Sequence, residues 1–380
     1  MILLSFLWRL QSDYVCFLEK NKKEKKIRQK NTSCRFIHTR GKIVIYMAGQ
    51  KKYRQRRQGM YYRQLIRKAE QKMTQFQPEG RLWNTPQNRE ATSCAAALCR
   101  AMENGQILEA RASVCDSRHN LIVDLGCMNG VIPREEGALG IAQGTTRDIA
   151  IISRVGKPVC FTVQKIGSDR HGRPYATLSR RAVQQACMEQ YISRLRCGDV
   201  IDGRVTHLEP FGAFVDIGCG IPSLMSIDTM SVSRISHPSD RFTVGMDIRA
   251  VVLRKEDDGR ISLSHRELLG TWTENAALFD VGETVTGIVR SVEDYGVFVE
   301  IMPNLAGLAE RRDDVEAGCG VSVYIKSIIP ERMKIKLVLV DSFPHDTPPP
   351  PPHYFFTGSH MDRFVYSPCS SVKYIETRFC

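Results

Sequence analysis

Long hydrophobic runs are missing from this 380-residue chain. None approaches the ~18–20 apolar residues of a membrane-spanning helix. The opening Met1–Trp8 is apolar, but Arg9 ends it. No basic region precedes it and no small-residue cleavage site follows, so it does not read as a signal peptide. Paired cysteines are missing too. The 13 cysteines are odd in number and none falls in a Cys-x-x-Cys pair, which argues against a structural zinc and against a secreted disulfide framework. Most of these thiols read as small core residues in a reducing cytoplasm. Catalytic signatures are absent as well. There is no Gly-x-x-x-x-Gly-Lys-Ser/Thr loop and no His-Glu-x-x-His helix, and the nine histidines show no ligand spacing. The adjacent carboxylates Asp257–Asp258 and Asp313–Asp314 read as solvated turn residues. The expectation is a non-catalytic protein with no cofactor, no metal and no membrane partner.

What is present is charge in one place. Residues 1–80 hold 20 Lys+Arg against 5 Asp+Glu, within a chain total of 54 against 41. The rest of the chain is therefore close to neutral. The excess forms an N-terminal arm suited to a polyanion, most plausibly nucleic acid. A solvated arm without a specific partner is the competing reading. Met47 and Met60 read as alternative starts, with part of 1–46 an upstream extension; 51–80 is basic either way. Residues 61–75 suit a helix, 81–90 a linker containing Pro86, and Thr92–Met102 a short Ala/Leu-rich helix followed by Gly105.

From there the chain changes to short β-type runs separated by glycine-containing turns, and it repeats itself. Gly198-Asp-Val-Ile-Asp-Gly-Arg-Val aligns with Gly282-Glu-Thr-Val-Thr-Gly-Ile-Val, and Phe211-Gly-Ala-Phe-Val-Asp-Ile217 with Tyr295-Gly-Val-Phe-Val-Glu-Ile301, at a constant spacing of 84. A fainter copy begins at Gly105, matches at Leu121-Ile-Val-Asp-Leu-Gly126 and ends at Tyr175-Ala-Thr-Leu-Ser179, which parallels Arg260-Ile-Ser-Leu-Ser264. In the second copy, strands are expected near 199–208, 213–217, 221–227, 246–254 and 260–264, with a loop or short turn over 228–240. Five strands in about 70 residues suit an OB-type barrel and are too few for a sandwich. The organisation that follows is an arm and linker (1–90), a degenerate copy with its preceding helix (91–180), a sharp copy (198–264), a helical connector (265–281), a second sharp copy (282–340) and a tail (341–380). A similar connector is expected over 180–196. Order is expected to end past Val340, where Pro348–Pro352 reads as a polyproline II spacer.

Alternation places Ala213, Val215 and Ile217 inside the second barrel, with Phe214 and Asp216 outside. The same parity puts Val297, Val299 and Ile301 inside and Phe298 and Glu300 outside. An exposed Phe repeated at one position suits base stacking, since every base has a π-face. Simple parity turns Phe211 and Tyr295 inward, but Gly212 and Gly296 follow them, and a bend there would bring each pair onto one face. Packing inside or between barrels is the competing reading for all four rings.

Gly-x-x-x-x-Gly-x-Val, then Phe-Gly-Ala-Phe-Val-Asp-Ile, then Gly-Arg-Ile-Ser-Leu-Ser resembles the S1 RNA-binding domain, and the repeats are similar to those of bacterial ribosomal protein S1. The resemblance covers about residues 105–340. It implies a mainly β protein of tandem five-stranded OB-fold barrels, joined here by helical connectors and flanked by the basic N-terminal arm, expected to be disordered, and the Pro-rich tail. It also implies single-stranded RNA, mRNA in translation, as the partner, together with the small ribosomal subunit. The family's surface aromatics fall on Phe211, Phe214, Tyr295 and Phe298, and its basic residue before the last strand falls on Arg260 and Lys334. Arg204, Arg249, Arg254, Lys255, Lys326 and Lys336 offer supporting positive charge. The family's third-strand His is replaced by Ser226 and Glu310, so weaker binding is expected of the third copy. The first copy carries His119 and Ile122 in place of the aromatics and reads as a docking module. A protein-binding role for all the barrels, on the ribosome or an RNA-degradation complex, is the alternative.

Overall fold

Period-2 alternation over short strands closes the chain into three five-stranded barrels. The structure, a computed structural model, describes residues 75–169, 171–256, 259–345 and 347–379, and the backbone of 34–39 and 42–47. β1 (Cys34–Thr39) and β2 (Lys42–Met47) form an antiparallel hairpin in a unit of its own. Residues 61–74 of the expected helix, the rest of the basic arm, and Asp257 and Asp258 lie outside the described residues.

The second unit opens with α1 (Pro86–Ala91) and α2 (Ala95–Glu103). The linker expected over 81–90 is thus partly helical. Pro86 sits in the first turn, where its missing N–H costs nothing, and Thr85 caps that turn by accepting from Asn88 N. Barrel 1 comprises β3 (Leu108–Cys115), β4 (Leu121–Asp124), β5 (Asn129–Ile132), β6 (Pro158–Ser168) and β7 (Pro174–Ser179), with one helical turn, α3 (Ile149–Ile152), between β5 and β6. The connector α4 (Arg180–Gln190) follows. Barrel 2 comprises β8 (Val200–Glu209), β9 (Gly212–Asp216), β10 (Pro222–Ser226), β11 (Asp247–Lys255) and β12 (Ile261–Ser264). The connector expected over 265–281 is a 3₁₀ turn (Arg266–Leu268) and a short α5 (Trp272–Ala276), broken at Gly270. Barrel 3 comprises β13 (Thr284–Glu293), β14 (Gly296–Met302), β15 (Leu305–Ala309), β16 (Gly320–Ile329) and β17 (Lys334–Phe343).

All three share one topology. The first strand pairs with the second and fourth, and the third pairs in parallel with the fifth. Bulges fall at matching places, at Ser113, Thr206 and Arg290 in the first strands and at Gln164, Leu253 and Lys326 in the fourth. Bulges bend and twist a strand, which such short sheets need in order to close. The inward residues form the cores: Val205, Ala213, Val215, Met225, Ala250 and Leu263 in barrel 2, and Val289, Val297, Val299, Val323, Ile325 and Leu337 in barrel 3.

Asp216 and Glu300 face out of their barrels, as alternation requires, yet they are 2% and 5% exposed because a neighbouring unit docks on each. At the joint between barrels 1 and 2, Asp216 accepts from the backbone N–H of Glu79, Gly218 and Gly220. Glu79 itself takes Arg180 at 2.7 Å and Arg154 at 3.2 Å. Burial opposes its charge, but Arg180 and Arg154 hold the Glu79 carboxyl below its ordinary range. Burial, and then the Glu79 charge, pushes Asp216 well above its own. At the joint between barrels 2 and 3, Glu300 takes Arg241 at 2.5 Å and Arg290 at 2.8 Å. Asn304 accepts from Val232 N there and donates to the carbonyls of Arg266 and Gly270.

The last strands differ in how they end. Ser179 and Ser264 close β7 and β12, and their hydroxyls bond to Glu136 and Glu267 as the chain turns away. Val338 stands at the matching place in β17, and the strand runs on to Phe343. Order therefore does not stop at Val340. Past the proline run the tail forms a strap. Tyr354, Phe356 and Met361 pack against Val251 and Leu268, and β18 (Arg363–Val365) pairs with β19 (Glu376–Arg378). Tyr366 is buried and its hydroxyl donates to the Asn304 carbonyl.

Candidate nucleic-acid interface

Phe211 and Tyr295 are not strand residues. They sit in two-residue turns, closed by Glu209↔Gly212 and Glu293↔Gly296, so strand parity does not apply to them. The glycine after each is required by a close approach. A Cβ on Gly212 would meet the Met225 carbonyl at 2.4 Å, and one on Gly296 the Ala309 carbonyl at 2.5 Å. The turn throws each ring outward, onto the face that carries Phe214 or Phe298. Phe211 is 56% exposed and Tyr295 70% exposed. The pairs meet edge to face, with centroids 6.1 Å apart in barrel 2 and 6.0 Å apart in barrel 3. Phe214 and Phe298 are half-buried.

Register carries the face across the sheet. Phe214 lies beside Leu224, and Leu224 beside Ser262; Phe298 lies beside Leu308, and Leu308 beside Lys336. Arg260 and Lys334 stand two residues before Ser262 and Lys336, on the same side and exposed. Each sharp barrel thus presents two rings and a leucine on one face, with a cation two strands away from Phe214 or Phe298 and two residues along, roughly 12 Å between backbone positions.

Four residues of this face escape the sequence reading. Leu224 and Leu308 obey the 84-residue spacing and could have been found by it. His207 lies opposite Phe214 across the hairpin, its ring 6.4 Å away, and is held by Glu209 at 2.7 Å. Arg311 reaches back to Asp294, beside Tyr295, at 2.7 Å. Nothing in their local sequence marks either.

Of the supporting basic residues, three are engaged elsewhere. Arg204 forms a bidentate pair with Asp247, at 2.9 Å through each arm, and also bonds the Glu79 carbonyl. Arg249 donates to the carbonyls of Phe356 and Gly358, both at 2.7 Å, and so holds the strap. Lys255 donates to the carbonyls of Ile192 and Ser193. Arg254, Lys326 and Lys336 are exposed. Glu310 is exposed on the Phe298 side, while the Ser226 hydroxyl donates to Asp228 at 2.7 Å.

Barrel 1 lacks the arrangement. The matching row is Ile122, Val131 and Thr177, with Tyr175 in the place of Arg260. His119 adopts a left-handed backbone (φ 62°) and turns to Asp148 at 3.2 Å. Among the described residues, no three His, Cys, Asp or Glu side chains gather where they could hold a metal ion. No described helix is long and apolar enough to cross a membrane.

The S1 RNA binding domain family matches residues 194–266, which are barrel 2 and its flanks. Small ribosomal subunit protein bS1 of Staphylococcus aureus (strain COL) is 29% identical over 266 residues, covering 66% of this chain and 65% of that protein. The bS1 protein of Leuconostoc lactis is 35% identical over 238 residues, covering 58% of this chain and 53% of its own. The chain thus spans a little under two thirds of the first relative's length and about half of the second's. A solved multidomain protein with nucleic acid binding domains from Streptococcus pneumoniae aligns at 15% identity and a TM-score of 0.21, over 62% of this chain and 74% of that one. Residues 194–266 match the S1 RNA-binding domain, and about two thirds of the chain is similar to small ribosomal subunit protein bS1.

Proposed function

We propose that this is a non-catalytic, cytoplasmic protein that binds single-stranded mRNA during translation and works with the small ribosomal subunit. The observation that carries the reading is the paired rings, Phe211/Phe214 and Tyr295/Phe298, built twice at equivalent places and left open. Bases stack on Phe214 and Phe298, with Phe211 and Tyr295 as side walls. Arg260 and Lys334 neutralise phosphate, assisted by Lys336, Arg254 and Lys326. Such a face reads little sequence, because stacking and charge are shared by all four bases. The S1 match over barrel 2 and the bS1 relatives support the reading. Barrel 1, with Ile122 in the place of Phe214 and Tyr175 in the place of Arg260, serves as a docking module in this scheme.

The test is fluorescence anisotropy of a short single-stranded RNA titrated with the whole chain across a salt series. Stacking is worth about 1–3 kcal/mol per base, so Phe214→Ala with Phe298→Ala should weaken binding by roughly tenfold or more. Binding of the parent should also fall as salt rises. Equal affinity in parent and variant would remove the barrel faces from the mechanism.

A further inference from the structure

In each barrel the first strand begins before its partner does. Pairing with the second strand starts only at Arg111, Arg204 and Ile288. Ahead of that point one edge of the strand lies open, and an open edge recruits a partner. In barrel 1 the side chain of Asn88 fills it, donating to the Glu109 carbonyl and accepting from Glu109 N, both at 2.8 Å. In barrel 2 the strap fills it. Val200 N donates to Ser359 O, Met361 N donates to Gly198 O, and Asp199 faces His360 in a β-bridge, its carboxylate 2.7 Å from the ring Nδ1. In barrel 3 the matching stretch, Val281–Thr284, is exposed, and no described residue pairs with Thr284 N or with the Gly282 carbonyl.

The side chains beside the edge tell the same story. Val251 lies between Val200 and Ser264, and the strap and Leu268 bury it completely. Its counterpart Tyr324 lies between Thr284 and Val338 and is 40% exposed, with Val281, Val338 and Val340 exposed around it. Glu283 stands where Asp199 holds His360. Asp280 and Asp341 are exposed nearby, so the surround is acidic and repels phosphate.

We propose that this edge of barrel 3 docks an extended segment of a partner protein. The segment adds as a strand along Gly282–Thr284, lays an aromatic or aliphatic side chain on Tyr324 and Val338, and sets a basic residue against Glu283. The chain's own Phe356-Thr-Gly-Ser-His-Met361 shows the pattern on barrel 2. The mode is strand addition, in which backbone hydrogen bonds give affinity and flanking side chains give specificity. The edge is at the far end of β13 from Tyr295, roughly 30 Å along the strand. A bound peptide therefore leaves the ring face free.

The probe is a fluorescein-labelled peptide with the sequence of residues 353–362, titrated into the full chain and followed by anisotropy. Saturable binding is expected. Tyr324→Asp and Glu283→Lys should each weaken it by about tenfold. A peptide carrying His360→Glu should regain affinity for Glu283→Lys, because a carboxylate then faces the lysine. No saturable binding, or equal binding by the parent and both variants, overturns the proposal. Displacement of the peptide by single-stranded RNA would assign the edge to RNA. Dimers seen by light scattering and lost in Tyr324→Asp would assign it to a second copy of the chain. Either result overturns the partner-protein reading.

Discussion

Glu300 serves two guanidinium groups at the joint of barrels 2 and 3, and all three side chains are nearly dry. Glu300 is 5% exposed, Arg241 6% and Arg290 8%. Removing the carboxylate charge with Glu300→Gln leaves two buried cations facing each other, with only Asp240 on Arg290 at 3.2 Å as compensation. Stripping one partner from a buried pair costs about 3–5 kcal/mol. Arg241→Met is different. Glu300 keeps Arg290, and the loss is a charge-assisted hydrogen bond worth about 1.5–3 kcal/mol. The order of the two costs follows from the geometry, whatever their absolute size. Urea unfolding followed by tryptophan fluorescence measures both, because Trp272 is buried in the barrel 3 core. The carboxylate variant should also split the transition, barrel 3 melting first. If Arg241→Met costs as much as Glu300→Gln, or both cost under about 1 kcal/mol, the joint is not held this way. RNA binding gives a second readout. Two faces on one rigid frame reinforce each other through effective concentration, so Glu300→Gln should weaken a long RNA more than a short one.

Three further outcomes are expected. Glu310→Gln removes a charge from the Phe298 side and should raise RNA affinity of the chain by about twofold at low salt, less at high salt; an anisotropy titration decides it. His265 is buried between Phe242 and Tyr354, with Nδ1 on the Met230 carbonyl, and burial holds its pKa down at about 4. Its folded pKa lies below its unfolded value, so stability is full above about pH 6.5 and is lost as pH falls toward 4, by about 3 kcal/mol in all; His265→Gln should flatten that slope in melts between pH 7 and 4. Gly296→Ala would press a methyl group on the Ala309 carbonyl, and a cost of about 1–3 kcal/mol should appear in thermal melts, together with loss of the Tyr295 contribution to RNA binding.

The barrels were readable because each strand is short, half-buried and repeated at fixed spacing. The five strands expected in the second copy match β8–β12 within about two residues at each end. The rings were half readable. Parity placed Phe214 and Phe298 correctly, while Phe211 and Tyr295 needed the turn geometry that Gly212 and Gly296 permit. Burial of Asp216 and Glu300 was not readable, since their cover comes from Glu79 and Arg241, which lie 137 and 59 residues away along the chain. The partners of Arg204, Arg249 and Lys255 were hidden for the same reason. A local sequence shows that a side chain is basic, but not that Asp247, the strap or a helix-end carbonyl has already engaged it. The strap itself has no periodicity. It is ordered by what it covers, and a segment of that kind looks like a tail until its groove is known.

The ends of the three last strands carry a consequence for how such a chain is assembled. At Ser179 and Ser264 the strand closes, the hydroxyl bonds to a glutamate, and the chain passes forward into the next module. Valine at 338 lets the strand continue, and the chain passes back over what has already been built. The returning segment then seals an edge of the second copy and leaves that of the third unsealed. The two strands that close on a serine hydroxyl turn forward into the next module, and the one that carries valine there turns back.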